Sequence, residues 1–562
     1  MKELSDEKRM LLAFVLMVVI LGVWTKFFKP PAPPPPSKQT STAAGASTPS
    51  AAAIPAAAQA TPIVPSAGAV EAGAEQNIEV KSELYSVELS NRGATVRSWK
   101  LNNYLDDQKP PKPLELVNTS AAQQLNAWPF SITLDDPQLE SKANSVLYQV
   151  SAQGTALQAP VELTFHWSDG HLDVAKKLKF TADYQIELDA SATLEGKPLP
   201  VAIGWRGGFG DIGVAQQSQI VNVFYSQNQK LNLLQYKKLG VSGHSEQRSL
   251  VSGAVEFAGI EDQFFAAAFL PNGPPVNVWD WVEQHQVTQD DKQTEEPEPQ
   301  LAVGSTIPGP ISMRVFVGPK DLRILAKLKP PQEELVQFGW FSIIAKPLLE
   351  VLQWTHKYIP NWGWAIVVLT LVINLALFPL KVSSYRSMKN MQKVAPEVQS
   401  IQNKYKKYSM SDPRKRKMNE EIMAIYQREG INPFGSCLPM LVQFPFLLAF
   451  YRMLGGAIEL RHAPWFGWIH DLSAHDPYYI LPIIMTVSMY FMQKMTPMTA
   501  TDPAQQKMFA YMPLFMGVIF FRLSAGLNLY YFTSNLVSIV QQYYLIKTHP
   551  LTAQGNSKGK KK

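Results

Sequence analysis

Gly208-Phe209-Gly210-Asp211-Ile212-Gly213 has the G-x-G-x-x-G spacing with which a backbone can approach a pyrophosphate. That chemistry needs a strand before the glycines and a helix after them. The flanking residues alternate like β strands, so a glycine-rich turn is expected instead. His462, His470 and His475 lie near Asp471 and Asp476, residue types that bind metals. The segment HDLSAHDPYY lacks fixed helical ligand spacing and reads as a capped turn beside aromatic residues. The single cysteine, Cys437, excludes an intrachain disulfide and a multi-cysteine metal site. No P-loop, nucleophile elbow or HExxH motif occurs. The expectation is therefore no catalytic residues, no metal and no cofactor: not an enzyme.

A different polar pattern is more informative. Thr370 and Asn374 interrupt the apolar run Trp362–Leu380. Arg522 closes the run Phe509–Leu523. Asn528, Tyr530, Tyr531, Thr533, Ser534 and Asn535 crowd the start of Leu527–Ile546. Polar groups in hydrocarbon are costly unless they face partners or water. Such crowding points to a hydrated cavity between helices, with ordinary helix–helix hydrogen bonding as the alternative.

The elements that must position these residues are legible in windows. The 562-residue chain is 46% hydrophobic and 17% charged, with 43 prolines and a net charge of +6. Residues 1–29 carry Lys2, Lys8 and Arg9 before the apolar run Met10–Trp24, and no small-x-small site follows directly. An uncleaved transmembrane anchor is expected. Residues 30–76 are a Pro/Ala-rich linker that cannot bury enough surface to fold. Residues 77–330 show short alternating runs such as VELTFHW, separated by turn residues, and predict one large all-β sandwich domain. Residues 331–356 predict an amphipathic helix on the membrane surface.

Residues 357–547 hold five candidate spans: Trp362–Leu380, Leu438–Ala457, Tyr479–Met492, Phe509–Leu523 and Leu527–Ile546. Between the first two, residues 381–430 carry twelve Lys/Arg against five acids. The positive-inside rule puts this segment in the cytoplasm. Both termini are then cytoplasmic, including the basic tail 548–562, and the β domain is periplasmic. Within 381–430 the cations alternate with apolar residues at helical spacing around a break at Ser411-Asp412-Pro413. A helical hairpin is expected, lying over the membrane face. Arg386, Lys389, Lys393, Arg414, Lys415, Arg416 and Lys417 are its candidate contacts to anionic lipid, a nascent chain or a ribosome. A hairpin that only sets topology is the alternative.

The segments INPFGSCLPMLVQFPFLLAFY, WFGWIHDLSAHDPYYILPIIM, QKMTPMTATDPAQQKMFAYMPL and AGLNLYYFTSNLVSIVQQ resemble the core of the YidC/Oxa/Alb membrane protein insertases. The match covers roughly residues 335–546. The anchor and β domain resemble the long bacterial form of that family. The resemblance implies an α-helical polytopic inner-membrane protein, with an N-terminal anchor and a five-helix core. It also implies a periplasmic domain of β-supersandwich fold. The implied activity is moving hydrophobic segments of nascent proteins into the bilayer through a hydrophilic groove, alone or with the Sec translocon. It implies substrate contacts at Thr370 and Tyr531. The family's groove arginine falls on Asn374, a departure that removes a charge from that position. Arg522, on a span bordering the groove, is the candidate to replace part of that charge, with outward snorkelling at the periplasmic hairpin as the alternative. A secondary transporter would show repeats and broken helices around a midplane site, and no repeat occurs. A membrane-tethered carbohydrate enzyme would need a carboxylate pair, and none stands out.

Overall fold

Alternation decides the first half of the chain. In Val161–Ser168, Leu163, Phe165 and Trp167 are buried while Glu162 is exposed. Successive side chains of a strand point to opposite faces, so this pattern covers a core on one side. The computed structural model describes residues 68–152, 154–211, 220–242, 244–273, 276–289, 292–408, 412–431, 438–496 and 503–548. The anchor 1–29, the linker up to residue 67, Ile212, Gly213, Cys437 and the tail from residue 549 lie outside them.

Two sheets build the β domain. A five-stranded sheet runs Pro113–Glu115, Thr95–Leu105, Tyr85–Ser90, Asn77–Lys81, Ala156–Gln158. A 14-stranded sheet is centred on Val276–Gln289, Ser249–Glu261, Phe265–Pro271 and Ile311–Pro319. Between them Trp99, Phe130 and Trp205 meet with centroids 6.2–6.3 Å apart. Two short helices were not expected. Asn118 caps Thr119–Leu125, and Asp136 followed by Pro137 starts Pro137–Ser145. Both are too short to display a helical hydrophobic period.

The glycine-rich segment is a turn with a structural task. Gly207, Gly208 and Gly210 have φ of 79°, 99° and 101°, a region that disfavours any side chain. A Cβ on Gly208 would lie 2.7 Å from Glu298 Oε1. The turn delivers Asp211, whose carboxylate pairs with Arg461 at 2.5 Å. Both side chains are about 5% exposed. Arg461 also donates to the Leu105 carbonyl (2.8 Å) and lies over the Phe265 ring. Beside it His462 meets Asp107 at 2.8 Å, and Gln263 donates to the Gly455 carbonyl at 2.7 Å. Behind this layer Lys320 approaches Glu261 (3.3 Å) and donates to the Asp262 carbonyl. Burial pushes the carboxyls of Glu261 and Asp262 upward. Arg461 follows the second expected span, so this junction fastens the β domain to the helical half.

The helical half contains α1 (Ser342–Tyr358), α2 (Trp362–Ala376), α3 (Phe378–Lys404), α4 (Arg414–Arg428), α5 (Leu438–Gly456), α6 (Ile480–Met495), α7 (Pro503–Phe520) and α8 (Ala525–Thr548). The surface helix expected from residue 331 begins only at Ser342. Short 3-10 turns at Glu333–Leu335 and Gly339–Phe341 precede it. Pro330 and Pro331 cannot donate, and Gly339 has φ of 59°, so a continuous helix is blocked. Among the described residues, no single helix is long and apolar enough to cross a membrane. The bent pair α2 and α3, 53° apart, passes together.

α3 and α4 pack as a helical hairpin. Their apolar faces pack on each other through Val394, Val398 and Ile425. Arg428–Glu397 (2.8 Å) and Lys404–Glu421 (3.2 Å) clip the pair. Arg386, Lys393, Arg414, Arg416 and Lys417 are exposed; Lys389 and Lys415 are half-buried.

Two outcomes follow from the buried charges. Arg461→Met leaves Asp211 buried without its guanidinium and is expected to cost about 3–5 kcal/mol. Adding Asp211→Asn should recover part of this, read from melting of the full chain in detergent. Glu298 is held up to about 8, chiefly by burial. The native state then keeps a proton that the unfolded chain has lost. Stability conferred by the neutral form should fall as pH rises from the ordinary carboxylate range to about 8, and Glu298→Gln should flatten that slope.

Candidate functional site in the helical half

The helices invert the usual distribution of side chains. Leu514, Val518, Leu536, Val540 and Tyr543 are exposed, whereas Thr370, Asn374, Thr533, Ser534, Ser538 and Gln541 are buried. The buried polar residues form two facing stripes. On α8, Ser534, Ser538 and Gln541 recur at helical spacing. Opposite them, Thr370, Asn374 and Lys381 repeat at intervals of four and seven residues along α2 and the start of α3.

Each group finds a partner. Thr370 Oγ1 donates to the Ile366 carbonyl (2.6 Å). Asn374 Nδ2 donates to the Thr370 carbonyl (2.9 Å) and reaches Ser534 Oγ (3.3 Å). Gln541 Nε2 donates to the Asn374 carbonyl (3.1 Å). Lys381 Nζ donates to Asn374 Oδ1, Ser538 Oγ and Gln541 Oε1, each at 2.9 Å. An ammonium has three hydrogens, and all three are directed at neutral oxygens.

These residues back a cavity of about 430 Å³ between α3, α5, α6 and α8. It extends from Tyr530 to Leu545, roughly 22 Å along α8. Met388, Phe444, Leu447, Met489 and Met492 supply an apolar wall opposite the polar one. Unbranched methionine side chains adapt to differing shapes. Tyr530 stacks on Phe450 at 4.1 Å, and Tyr531 packs edge-on to Phe520 at 4.7 Å.

The far end of the bundle is closed by the loop between α5 and α6. The Leu472 and Ala474 carbonyls accept from Gly526 N (2.8 Å) and Ala525 N (2.7 Å), satisfying the first turn of α8. Asp476 accepts from Leu481 N (2.6 Å) at the start of α6 and from Trp468 Nε1 (2.9 Å). The histidine-rich loop therefore has structural work. Among the described residues, no group of three His, Cys, Asp or Glu could hold a metal ion.

The expected site residues separate. Tyr530 and Tyr531 line the cavity, and Asn374 lies just behind it holding Lys381. Thr370 is fully buried in the α2–α8 contact. Asn528 clasps the α7–α8 turn by donating to the Phe520, Leu523 and Ser524 carbonyls, and does not face the groove. Arg522 is not among the residues lining the cavity. It is exposed in that same turn, as the outward-snorkelling alternative expects. The groove's cation is Lys381, which the charge count had assigned to the hairpin. Its position seven residues after Asn374 was the available signal, as were the intervals linking Ser534, Ser538 and Gln541.

The model of the 60Kd inner membrane protein family matches residues 354–552. That of the YidC periplasmic domain matches residues 77–351. The membrane protein insertase YidC of Burkholderia multivorans is 32% identical over 511 residues, covering 88% of each chain. That of Paraburkholderia phymatum is 33% identical over 478 residues, covering 84% of each. The chain belongs to the YidC membrane protein insertase family. Its activity is accordingly membrane protein insertion, and its relatives are bacterial inner-membrane proteins with a periplasmic domain. A crystal structure of an active YidC insertase aligns over 85% of this chain and 94% of its own, at 17% identity and a TM-score of 0.34. A putative aldose 1-epimerase from Escherichia coli K12 aligns over 43% of this chain and 99% of its own, at 12% identity and a TM-score of 0.29. The epimerase likeness concerns the β domain alone.

The closure at the loop end can be tested by packing. A Cβ on Gly363 would lie 2.1 Å from Trp465 Cδ1. Gly363→Leu should displace the Trp465 ring, with an overpacking cost of about 1–3 kcal/mol. The expected result is a lower melting temperature and a shifted tryptophan fluorescence maximum.

Proposed function

We propose that hydrophobic segments of nascent inner-membrane proteins enter the groove from the cytoplasm and leave it sideways into lipid. The inverted distribution of side chains carries this reading: an apolar exterior suits lipid, and a polar interior suits a hydrated path. A charged side chain at the bilayer centre costs ~2.5–3.5 kcal/mol on insertion scales. A polar groove reaching partway across shortens the dry path for a short hydrophilic tail. Each large apolar residue that then enters lipid returns about 0.3–0.6 kcal/mol, and no cofactor is required.

In this reading both termini and the α3–α4 hairpin are cytoplasmic. Residues 1–29 form an anchor, and the β domain, a β-supersandwich, is periplasmic. The twelve cations of residues 381–430 support that orientation. Exposed Arg386, Lys393, Arg414, Arg416 and Lys417 suit a ribosome or anionic lipid. The groove serves substrates delivered alone or through the Sec translocon.

Complementation of cells depleted of their own insertase tests this, with insertion of a small single-span substrate as readout. Rescue is expected. A photo-crosslinker at Tyr531 or Gln443 should capture the nascent segment, whereas one at outward-facing Val540 should not. In a Cys437→Ser background, Ser252→Cys should react with an impermeant maleimide in spheroplasts, and Ser400→Cys only after permeabilisation.

A further inference from the structure

At Arg461 one guanidinium meets both sheets of the β domain. Its Nη2 donates to Asp211 Oδ2 (2.5 Å), in the turn beyond the strand Ala202–Trp205 of the 14-stranded sheet. Its Nη1 donates to the carbonyl of Leu105 (2.8 Å), which ends the strand Thr95–Leu105 of the five-stranded sheet. Two bonds from one planar fork fix the orientation of the fork as well as its place. Arg461 belongs to the loop between α5 and α6, and the same loop reaches the groove helices. Two residues on, the Ala463 carbonyl accepts from Leu472 N (3.1 Å). The Leu472 carbonyl in turn accepts from Gly526 N (2.8 Å) in the first turn of α8. Asn361, at the start of α2, donates its Nδ2 to the Pro464 and Trp465 carbonyls (3.2 Å each). Ala463 and Leu472 are buried, so water does not compete for these bonds. The fit is also close: a Cβ on Gly526 would lie 3.0 Å from the Leu472 oxygen. Contacts packed this densely transmit a displacement rather than absorb it. Tyr530 and Tyr531 of the cavity wall follow Gly526 by four and five residues, about 6–8 Å along α8.

We propose that Arg461 is a positioning residue for insertion: by seating the β domain on the α5–α6 loop, it sets where α8 carries Tyr530 and Tyr531 into the groove. This rests on the insertase reading above. Arg461 does not line the cavity and acts only through the loop. A buried ion pair adds little net stability over apolar packing, so what Arg461 contributes is geometry. Removing both charges together leaves no orphaned ion, and the doubly neutral chain keeps its fold while losing the fixed orientation. Beside Arg461, His462 meets Asp107 across the same junction, which offers a second place to hold the two halves together.

The test uses the purified full chain in proteoliposomes, with an arrested single-span substrate made in vitro. A photo-crosslinker is placed at Tyr531 on α8 or at Gln443 on α5. The readouts are the ratio of the two capture yields and the inserted fraction by protease protection. Arg461→Met with Asp211→Asn should lower the Tyr531-to-Gln443 ratio by about fivefold or more, the lower end of couplings between separate sites. Insertion should fall with it, while the melting temperature stays near that of the unaltered chain. In a Cys437→Ser background, Asp107→Cys and His462→Cys joined by a short bis-maleimide should restore the ratio without the ion pair. The same staple in a chain that keeps Arg461 and Asp211 should leave the ratio unchanged. If the doubly neutral chain fails to fold, Arg461→Lys carries the comparison. It keeps a charge for Asp211 but not the two-pronged fork, and an intermediate ratio is expected. An unchanged ratio in the folded variant overturns the proposal. So does a loss at both positions in step with the folded fraction, which marks a merely structural role, and so does a staple that restores nothing. Capture at neither position by the unaltered chain overturns the insertase reading instead.

Discussion

Helices surrounded by hydrocarbon have no solvent to satisfy their polar groups, so each such group must find its partner inside the protein. That constraint organises the helical half. Ser534, Ser538 and Gln541 on α8 turn inward to meet Asn374 and Lys381. The α5–α6 loop folds back because the first amides of α8 and α6 need acceptors, which Leu472, Ala474 and Asp476 supply. Asn528 spends its amide on three carbonyls at the α7–α8 turn for the same reason. With the polar groups gathered inward, the outer faces are left apolar. The cavity is the space where this inward-facing chemistry is not fully consumed.

The β domain answers a different problem, holding charge away from water at a junction. Asp211 reaches Arg461 because a turn of glycines at positive φ can pass close to Glu298 and Asn118. Glu261, Asp262 and Lys320 form a second buried layer behind it. Buried ion pairs seldom add much stability over apolar packing, but losing one partner is severe. The junction is therefore directional. It tolerates the docked geometry and penalises displaced ones.

Much of this was legible in the sequence. Alternation in VELTFHW gave a strand, and the apolar runs from Trp362 to Ile546 gave the helices. The density of polar residues after Leu527 announced a polar interior. What was lost was the direction of individual side chains. Arg522 looked like a groove residue because it borders an apolar run, but it is exposed in the tight turn and does not line the cavity. Asn528 looked like part of the cavity because backbone carbonyls, its real partners, leave no trace in residue identity. Lys381 was hidden among twelve cations, since a charge count discards the helical phase that sets it beside Asn374. The two short β-domain helices were missed because seven and nine residues are too few to show a period.

The bend between α2 and α3 has a mechanical meaning. α3 holds Pro396 in its interior, so its stretch before that proline is the stiff arm leading away from the 53° bend at Leu377. Lys381 sits about 6 Å from that bend and Pro396 about 28 Å from it. A swing of that arm would therefore reach the ammonium scaled down roughly fivefold, by the ratio of those two lengths. The α3–α4 hairpin is a coarse adjustment and the cavity a fine one, joined by a single shaft.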